Sequence, residues 1–514
     1  MPAIKAIKYN NQLCLSIEKL WDTLYSTFNT ALHHHVNIDV LHKIADKPPS
    51  AWIPFSKKEF KSAITNCNNS STPGLDKLSW NYLKAIVKDA DCLSTIINIA
   101  NTCIDYGFWP SHFKRFTTVV IPKPNKISYD FFKSFRLIIL LNTLGKLIEK
   151  VISKRLQFFT ASNNFLHLSQ LEGLKFKSTT DVGVTLTHII CLGWIKNLST
   201  STLTFDIAQF FSSLNHHLLT LILKKAEFNN HIISFFTNYL VGRKTNYLWN
   251  NFFSPIFDVN VGVGQESTLS PILSALYLSS FLYIFEKCLK NLNILISIIS
   301  FVDGLFISQN GSFHISNSCL FCSYNVMTKL LEKFSLIVKH SKTKVFHFNR
   351  SHSNFNPPPL DLTPIKGPVL WPKNIWKYLG FIFDRKLAFH QHINFYSNKA
   401  TSTIKCMKIL GNSNQGINPS QKHLLYRSYI LSIILYEFQL WFYNRAPLSY
   451  YLKYWGKCKE KLLSESYEPS RPLLHLALKP LQNLYLSSYT FRNLVEGCNY
   501  EHIHFHPITL YNPS

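Results

Sequence analysis

An α+β domain is the fold class the sequence predicts, and three observations carry it. Thr202 to Asp206 alternates as a strand does and is followed by a stretch of helical period from Gln209 to Ala226. Two apolar runs, Ile294 to Phe301 and Leu305 to Ser308, flank Asp303-Gly304, a dipeptide that favours a two-residue hairpin turn. Cys322, Val326, Leu330 and Phe334 then recur in steps of four, and a further strand is expected at Val345 to Asn349 after the basic stretch Lys339 to Lys344. Strand, helix, hairpin, helix, strand describes an antiparallel sheet with helices over one face.

Upstream, residues 1 to 70 read as helical and polar, with a breaker cluster at Lys47-Pro48-Pro49-Ser50. Strands are expected at Phe116 to Ile121 and Leu137 to Leu141, separated by the basic, turn-rich loop Pro122 to Lys126, and helices at Leu144 to Phe158 and Thr180 to Trp194. Beyond the proline-rich linker Asn356 to Pro359, strands return near Trp376 to Phe383 and helices from His392 onward. Residues from Lys461 to Ser514 are less regular, and no internal repeat is visible.

Composition narrows the function classes. The chain has 514 residues, with 54 Lys+Arg against 28 Asp+Glu, a net charge of +26. Hydrophobic residues at 46% exclude intrinsic disorder, and the charge imbalance favours a polyanionic partner, with nucleic acid first and an anionic membrane surface second. Eleven cysteines without repeated spacing read as reduced thiols rather than a secreted disulfide scaffold. Met1 to Leu13 has no apolar core or small-residue cleavage site, so no secretory leader is expected, and a transit peptide stays open. Ser267 to Phe285 is free of charge and nominally long enough to span a bilayer. Its serines, and the helical recurrence of Leu273, Leu276, Tyr277, Phe281 and Ile284 after Pro271, fit a buried core helix better.

The chemistry-bearing candidates are two acids. Asp206 closes an apolar strand and Asp303 sits at an apolar hairpin; on adjacent strands they would project to one spot, as divalent-cation chemistry requires. Taken singly, Asp206 reads equally as a helix N-cap, and Asp303 as the Asp of an Asp-Gly turn.

The order of motifs along the chain resembles the reverse transcriptases of non-LTR retrotransposons, especially the long-interspersed type common in fungi. Ser71 to Asp76 (STPGLD) resembles the leading motif of that family. Val119 to Pro124 (VVIPKP) and Phe135 to Asn142 (FRLIILLN) resemble the two fingers motifs, and Ser178 to Asp181 (STTD) the next. Phe205 to His216 (FDIAQFFSSLNH) is similar to the first palm motif, Gly264 to Leu273 (GQESTLSPIL) to the second and Phe301 to Gly304 (FVDG) to the third. Ser341 to Lys344 (SKTK) is similar to the fourth, and Trp376 to Gly380 (WKYLG) to the primer grip.

What the resemblance implies is a right-hand polymerase that copies an RNA template from a DNA primer with deoxynucleoside triphosphates and two Mg²⁺ ions. It implies an N-terminal extension at 1–70, fingers at 71–200 and a palm at 201–350 with a fingers-type insertion at about 217–255. Primer grip and helical thumb would follow at 351–460, and a C-terminal tail at 461–514. By the same likeness Asp206, Asp303 and the Ile207 carbonyl would hold metal, and Phe211 would exclude a 2′-hydroxyl. Gln265 would contact the nucleotide, Lys123 and Arg136 the triphosphate, and Lys342 would donate a proton. Singly, these basic residues read more often as a solvated face, and Phe211 more often as core than as a gate. The family also implies an upstream endonuclease, for which no room is seen before Ser71, and access to the nucleus.

Four departures mark the chain. Gly304 stands where the family has a second aspartate, Glu266 where it has a glycine, Leu137 where it has a proline and Glu172 where it has a glycine. A carboxylate at 266 within about 4 Å of a triphosphate would cost on the order of 1 to 4 kcal/mol. Impaired catalysis is therefore expected, and a non-catalytic nucleic-acid-binding remnant is the rival; a membrane-anchored protein is the weaker one. Cys319-Leu-Phe-Cys322 and the group Cys498, His502, His504, His506 lack a regular ligand set, so no zinc is expected.

Overall fold

The computed structural model describes residues 52–441, apart from 125, 127, 172–176, 227, 352–356, 366 and 408–418, together with 7–9, 12–14 and Asp22. Glu172, the Lys47–Ser50 cluster, the 461–514 tail and its cysteine and histidines lie outside the described residues. The chain divides into two compact units between Asn374 and Ile375.

Two four-stranded sheets organise the first unit. Along the chain, β1 (Arg115–Pro122), β2 (Phe135–Leu140), β4 (Arg243–Trp249) and β5 (Phe252–Val259) form one in the order β2-β1-β4-β5. Its β1–β4 pair is parallel, Arg115 opposite Lys244, so residues 243–259 return to the sheet begun more than a hundred positions earlier. The other sheet has the order β8-β3-β7-β6, with β3 (Ser199–Asp206), β6 (Ser297–Phe301), β7 (Gly304–Gly311) and β8 (Lys344–Phe348), all antiparallel.

The helices that matter for the site are α1 (Thr143–Ser162), α2 (Thr179–Ile195), α3 (Ser270–Asn291) and α4 (Phe313–Lys333). Asp76 starts α1 from a distance: its carboxylate accepts from the Thr143 amide at 2.7 Å, which supplies a partner for a helix-start donor. Ser178 and Asp181 start α2 by the same chemistry, the Ser178 amide donating to Asp181 at 2.7 Å. Two of the segments that resemble family motifs thus have helix-capping work.

Helix α3 is long and apolar enough to cross a membrane, yet 78% of its most apolar window is buried within the protein. Leu273, Tyr277, Phe281 and Phe285 are among its fully buried side chains, and the Tyr277 hydroxyl donates to the Phe334 carbonyl at 2.6 Å.

Three expectations change. Helices reach both faces of the β3 sheet, not one: Tyr324 of α4 meets Phe205 edge-on, while on the opposite face Asn310 of β7 donates to Ile189 of α2. The face under α2 is polar but closed, Thr202 and Ser308 pairing hydroxyl to hydroxyl at 3.0 Å and Thr200 donating to Asn310 at 2.7 Å. The stretch 209–226 is two helices, Phe210–Ser213 and His216–Lys225, because Asn215 leaves the helical conformation to cap the second. Finally, the hairpin turns on Val302-Asp303, not Asp303-Gly304: Phe301 pairs with Gly304, so Gly304 already belongs to β7.

In the second unit, the hairpin Ile375–Tyr378 and Phe381–Asp384 turns on Leu379 and Gly380, both with positive φ. A Cβ on Gly380 would lie 2.5 Å from the Tyr436 hydroxyl, so only glycine fits there. Tyr396 donates to the Gly380 carbonyl at 2.9 Å, tying the turn to helix His390–Met407.

Candidate active site

The two acids meet at the ends of adjacent strands. Asp206 is the last residue of β3, directly opposite Gly304, and the Ile207 amide donates to the Asp303 carbonyl at 2.8 Å. Burial pushes the Asp303 carboxyl above the usual aspartate range, and the nearby Asp206 charge pushes it further. Asp206 accepts a hydrogen bond from the Lys342 ammonium, and its carbonyl accepts from the Lys339 amide at 2.8 Å. It is therefore not a helix N-cap.

Five cations share one field, and two of them, Lys339 and Lys342, also act on Asp303. Burial lowers the Lys123 ammonium, and the charges of Lys339, Lys126, Arg136 and Lys342 lower it further. Lys123 and Arg136 stand on either side of the loop between β1 and β2, where the Lys123 amide donates to Ser134 at 2.8 Å and Arg136 pairs across the sheet with Ile121. Lys339 and Lys342 come from the turn before β8. Cations gathered in one field favour an anionic ligand. Sequence reasoning singled out Lys123, Arg136 and Lys342; Lys126 and Lys339 were visible only as members of basic stretches.

Phe211 and Gln265 belong to a second cluster built on one loop. Phe211 is half-buried against Phe210, and its carbonyl accepts from the Val263 amide at 2.7 Å. Gly262 donates to Leu214 at 2.9 Å, and its own carbonyl accepts from Arg243 at 2.9 Å and from His216 at 2.7 Å. Burial, then the Arg243 charge, lowers His216 to about 4, so it is a neutral donor here.

Gln265 and Glu266 project into solvent from this loop. Glu266 has φ +83°, a left-handed backbone that favours glycine. The glycine usual at this position in the resembling family thus has a conformational reason, one that the charge argument from sequence did not contain. Lys146 of α1 lies within the field of Glu266: burial lowers its ammonium while Glu149, Glu266 and Asp76 hold it up.

Trp376 of the second unit is buried and stacks on Tyr378 at 4.9 Å. Cys319 and Cys322 lie about one turn apart on α4, and among the described residues no group of three or more His, Cys, Asp or Glu could hold a metal ion.

Comparison with known proteins bears on this geometry. A family model described as "Reverse transcriptase (RNA-dependent DNA polymerase)" matches residues 121–383. The chain is 22% identical over 394 residues to a probable RNA-directed DNA polymerase from transposon X-element of Drosophila melanogaster, covering 76% of this chain and 41% of that protein. It is 21% identical over 398 residues to the RNA-directed DNA polymerase from mobile element jockey of Drosophila funebris, covering 76% and 41%. The chain thus spans about two fifths of the length of the curated relatives it matches. Among solved structures, an apo telomerase from Candida tropicalis, truncated from its C-terminal domain, is similar at TM-score 0.37 and 15% identity, covering 56% of this chain and 57% of that one.

Proposed function

This chain belongs to the reverse transcriptase (RNA-dependent DNA polymerase) family, and from that premise we propose that it is the polymerase region of a non-LTR retroelement protein with a weakened catalytic centre. Its fold is the α+β right-hand architecture of that family. In this reading residues 71–200 act as fingers, 201–350 as palm, and 351–460 as primer grip and thumb. The substrates are an RNA template, a DNA primer and deoxynucleoside triphosphates.

One observation carries the reading: Asp206 and Asp303 lie at adjacent strand ends, close enough that the Asp206 charge adds to burial in raising the Asp303 carboxyl. Two carboxylates brought to one strand end form an oxygen donor set suited to a hard cation. Bound there, with the Ile207 carbonyl as a third oxygen, Mg²⁺ would polarise the primer hydroxyl and neutralise the leaving pyrophosphate. Lys123, Lys126, Arg136 and Lys339 hold the triphosphate. Lys342 gives up its contact with Asp206 to place a proton on the departing pyrophosphate from Nζ. The Phe211 ring supports the sugar and leaves no room for a 2′-hydroxyl, and Gln265 meets the nucleotide.

The centre is weakened because Gly304 removes one carboxylate of the family's pair and Glu266 sets an anion beside the nucleotide path. The same two residues favour the second reading, a non-catalytic protein that keeps the cationic groove for nucleic acid.

Primer extension on poly(rA)/oligo(dT), in Mg²⁺ and in Mn²⁺, separates the two. The unmodified chain is expected to incorporate slowly, Asp206→Asn not at all, and the double variant Gly304→Asp, Glu266→Gly roughly a hundredfold faster. Silence in all three, with salt-sensitive duplex binding retained, would replace the polymerase reading with the binding one.

A further inference from the structure

Glu149 is a buried acid that none of these roles uses. It sits in the middle of α1 at 2% exposure, where an ionised carboxylate survives only if its oxygens are satisfied. They are satisfied by one loop and one tyrosine. The Ser267 hydroxyl donates to one oxygen at 2.8 Å, the Tyr239 hydroxyl donates to the other at 2.9 Å, and the Thr268 amide donates as well. Arg243, buried close by, adds its charge while its guanidinium holds the Gly262 carbonyl.

Burial pushes the Glu149 carboxyl above the usual carboxylate range, while Ser267, Tyr239, Arg243 and Thr268 pull it back. Its two oxygens are the acceptors on which the loop's Ser267 and Thr268 donors converge. Its carrier helix is started by Asp76 and buries one face along its length, from Thr143 to Thr160. Between the two clamped ends, Gly262 at Arg243 and Ser267 at Glu149, stand the exposed residues Gln265 and Glu266. The same loop fixes the Phe211 turn through the Val263 amide.

We propose that Glu149 is the positioning residue of the nucleotide-contacting loop, holding Gln265 and Phe211 in register through Ser267 and Thr268 without touching the substrate. This rests on the nucleotide reading of Gln265 given above, and the test separates the two. Glu149→Gln keeps the shape but leaves one acceptor oxygen where two served the Ser267, Tyr239 and Thr268 donors. Amide hydrogen exchange in residues 263–268 should then quicken about tenfold while residues 199–206 keep their protection. The affinity for a fluorescent deoxythymidine triphosphate analogue should fall about tenfold with poly(rA)/oligo(dT) binding unchanged.

An unchanged loop, or a loop and β3 that loosen together, would overturn the proposal. A loosened loop in a chain that binds no nucleotide even before substitution would support the anchor and overturn the nucleotide reading. Should Glu149→Gln fail to fold, Ser267→Ala removes a single donor and carries the same expectations. Tyr239→Phe, which leaves both loop donors on the carboxylate, should leave exchange in the loop within about threefold of the unmodified chain.

Discussion

Val302 at the tip of the β6–β7 hairpin has φ +57°, and Glu266 in the 262–268 loop has φ +83°. Both are left-handed positions that glycine fills without a Cβ penalty. The supports differ. Val302 is locked by backbone pairing on both sides, Phe301 opposite Gly304 and Gly304 opposite Asp206, whereas Glu266 is held by side chains, Ser267 on Glu149 and Arg243 on Gly262.

Glycine in the hairpin falls two residues late, at a paired strand position with no positive φ that any residue can adopt. The two departures from the family pattern are therefore different in kind. Gly304 removes a charge and relieves no backbone strain, while Glu266 adds a charge and backbone strain together.

Three substitutions test that contrast, the largest effect first. Gly262→Ala should destabilise the first unit by about 2 to 4 kcal/mol, since a β-carbon at φ +76° would lie 2.6 Å from the Ser212 backbone. Urea unfolding reads it, and a cost below about 1 kcal/mol would mean that the loop yields and is not clamped.

Glu266→Gly by itself should stabilise by about 1 kcal/mol, relief of the left-handed strain exceeding the extra freedom of the unfolded chain. A thermal midpoint raised by about 2 to 4 °C is expected. A lowered midpoint would show that the field of Lys146 outweighs the strain.

The smallest effect is at Asp303, whose folded pKa lies above its ordinary value. Such a group favours the folded state only while protonated, so its contribution is lost as pH rises from the unfolded value through the raised one. Asp303→Asn should accordingly be the more stable protein at neutral pH, with the gap closing in acid; urea midpoints at about pH 4 and pH 8 compare the two. An equal gap at both values would assign the effect to packing.

Much of this was legible beforehand, and the exceptions share a cause. The strand ending at Asp206, the apolar runs around Asp303 and the buried character of the 267–285 stretch follow from local period. The turn was misread by one residue because the choice between Val302-Asp303 and Asp303-Gly304 is made by the register of β7 against β3, not by the dipeptide. Thr200, Thr202 and Thr204 alternate like a solvent-facing edge, yet they are buried under α2 with hydroxyl partners on β7 and β8. Asp76 and Asp181, read as motif residues, reach helix starts that no local spacing reveals in the case of Asp76, whose partner is 67 residues away. Glu149 carried no signal, since one acid in an amphipathic helix is ordinarily a surface residue.

By itself the sequence determined the α+β order, the cationic character and the places of two acids along the chain, because hydrophobic period and net charge are sums over neighbouring residues. Only the tertiary structure decided that Asp206 faces Gly304, that lysines from two distant turns raise one field with Arg136, and that Glu149 meets Ser267 across 118 positions. Those pairings are set by which buried surfaces close over which, and a buried carboxylate finds its donors only after the helix that carries it has packed.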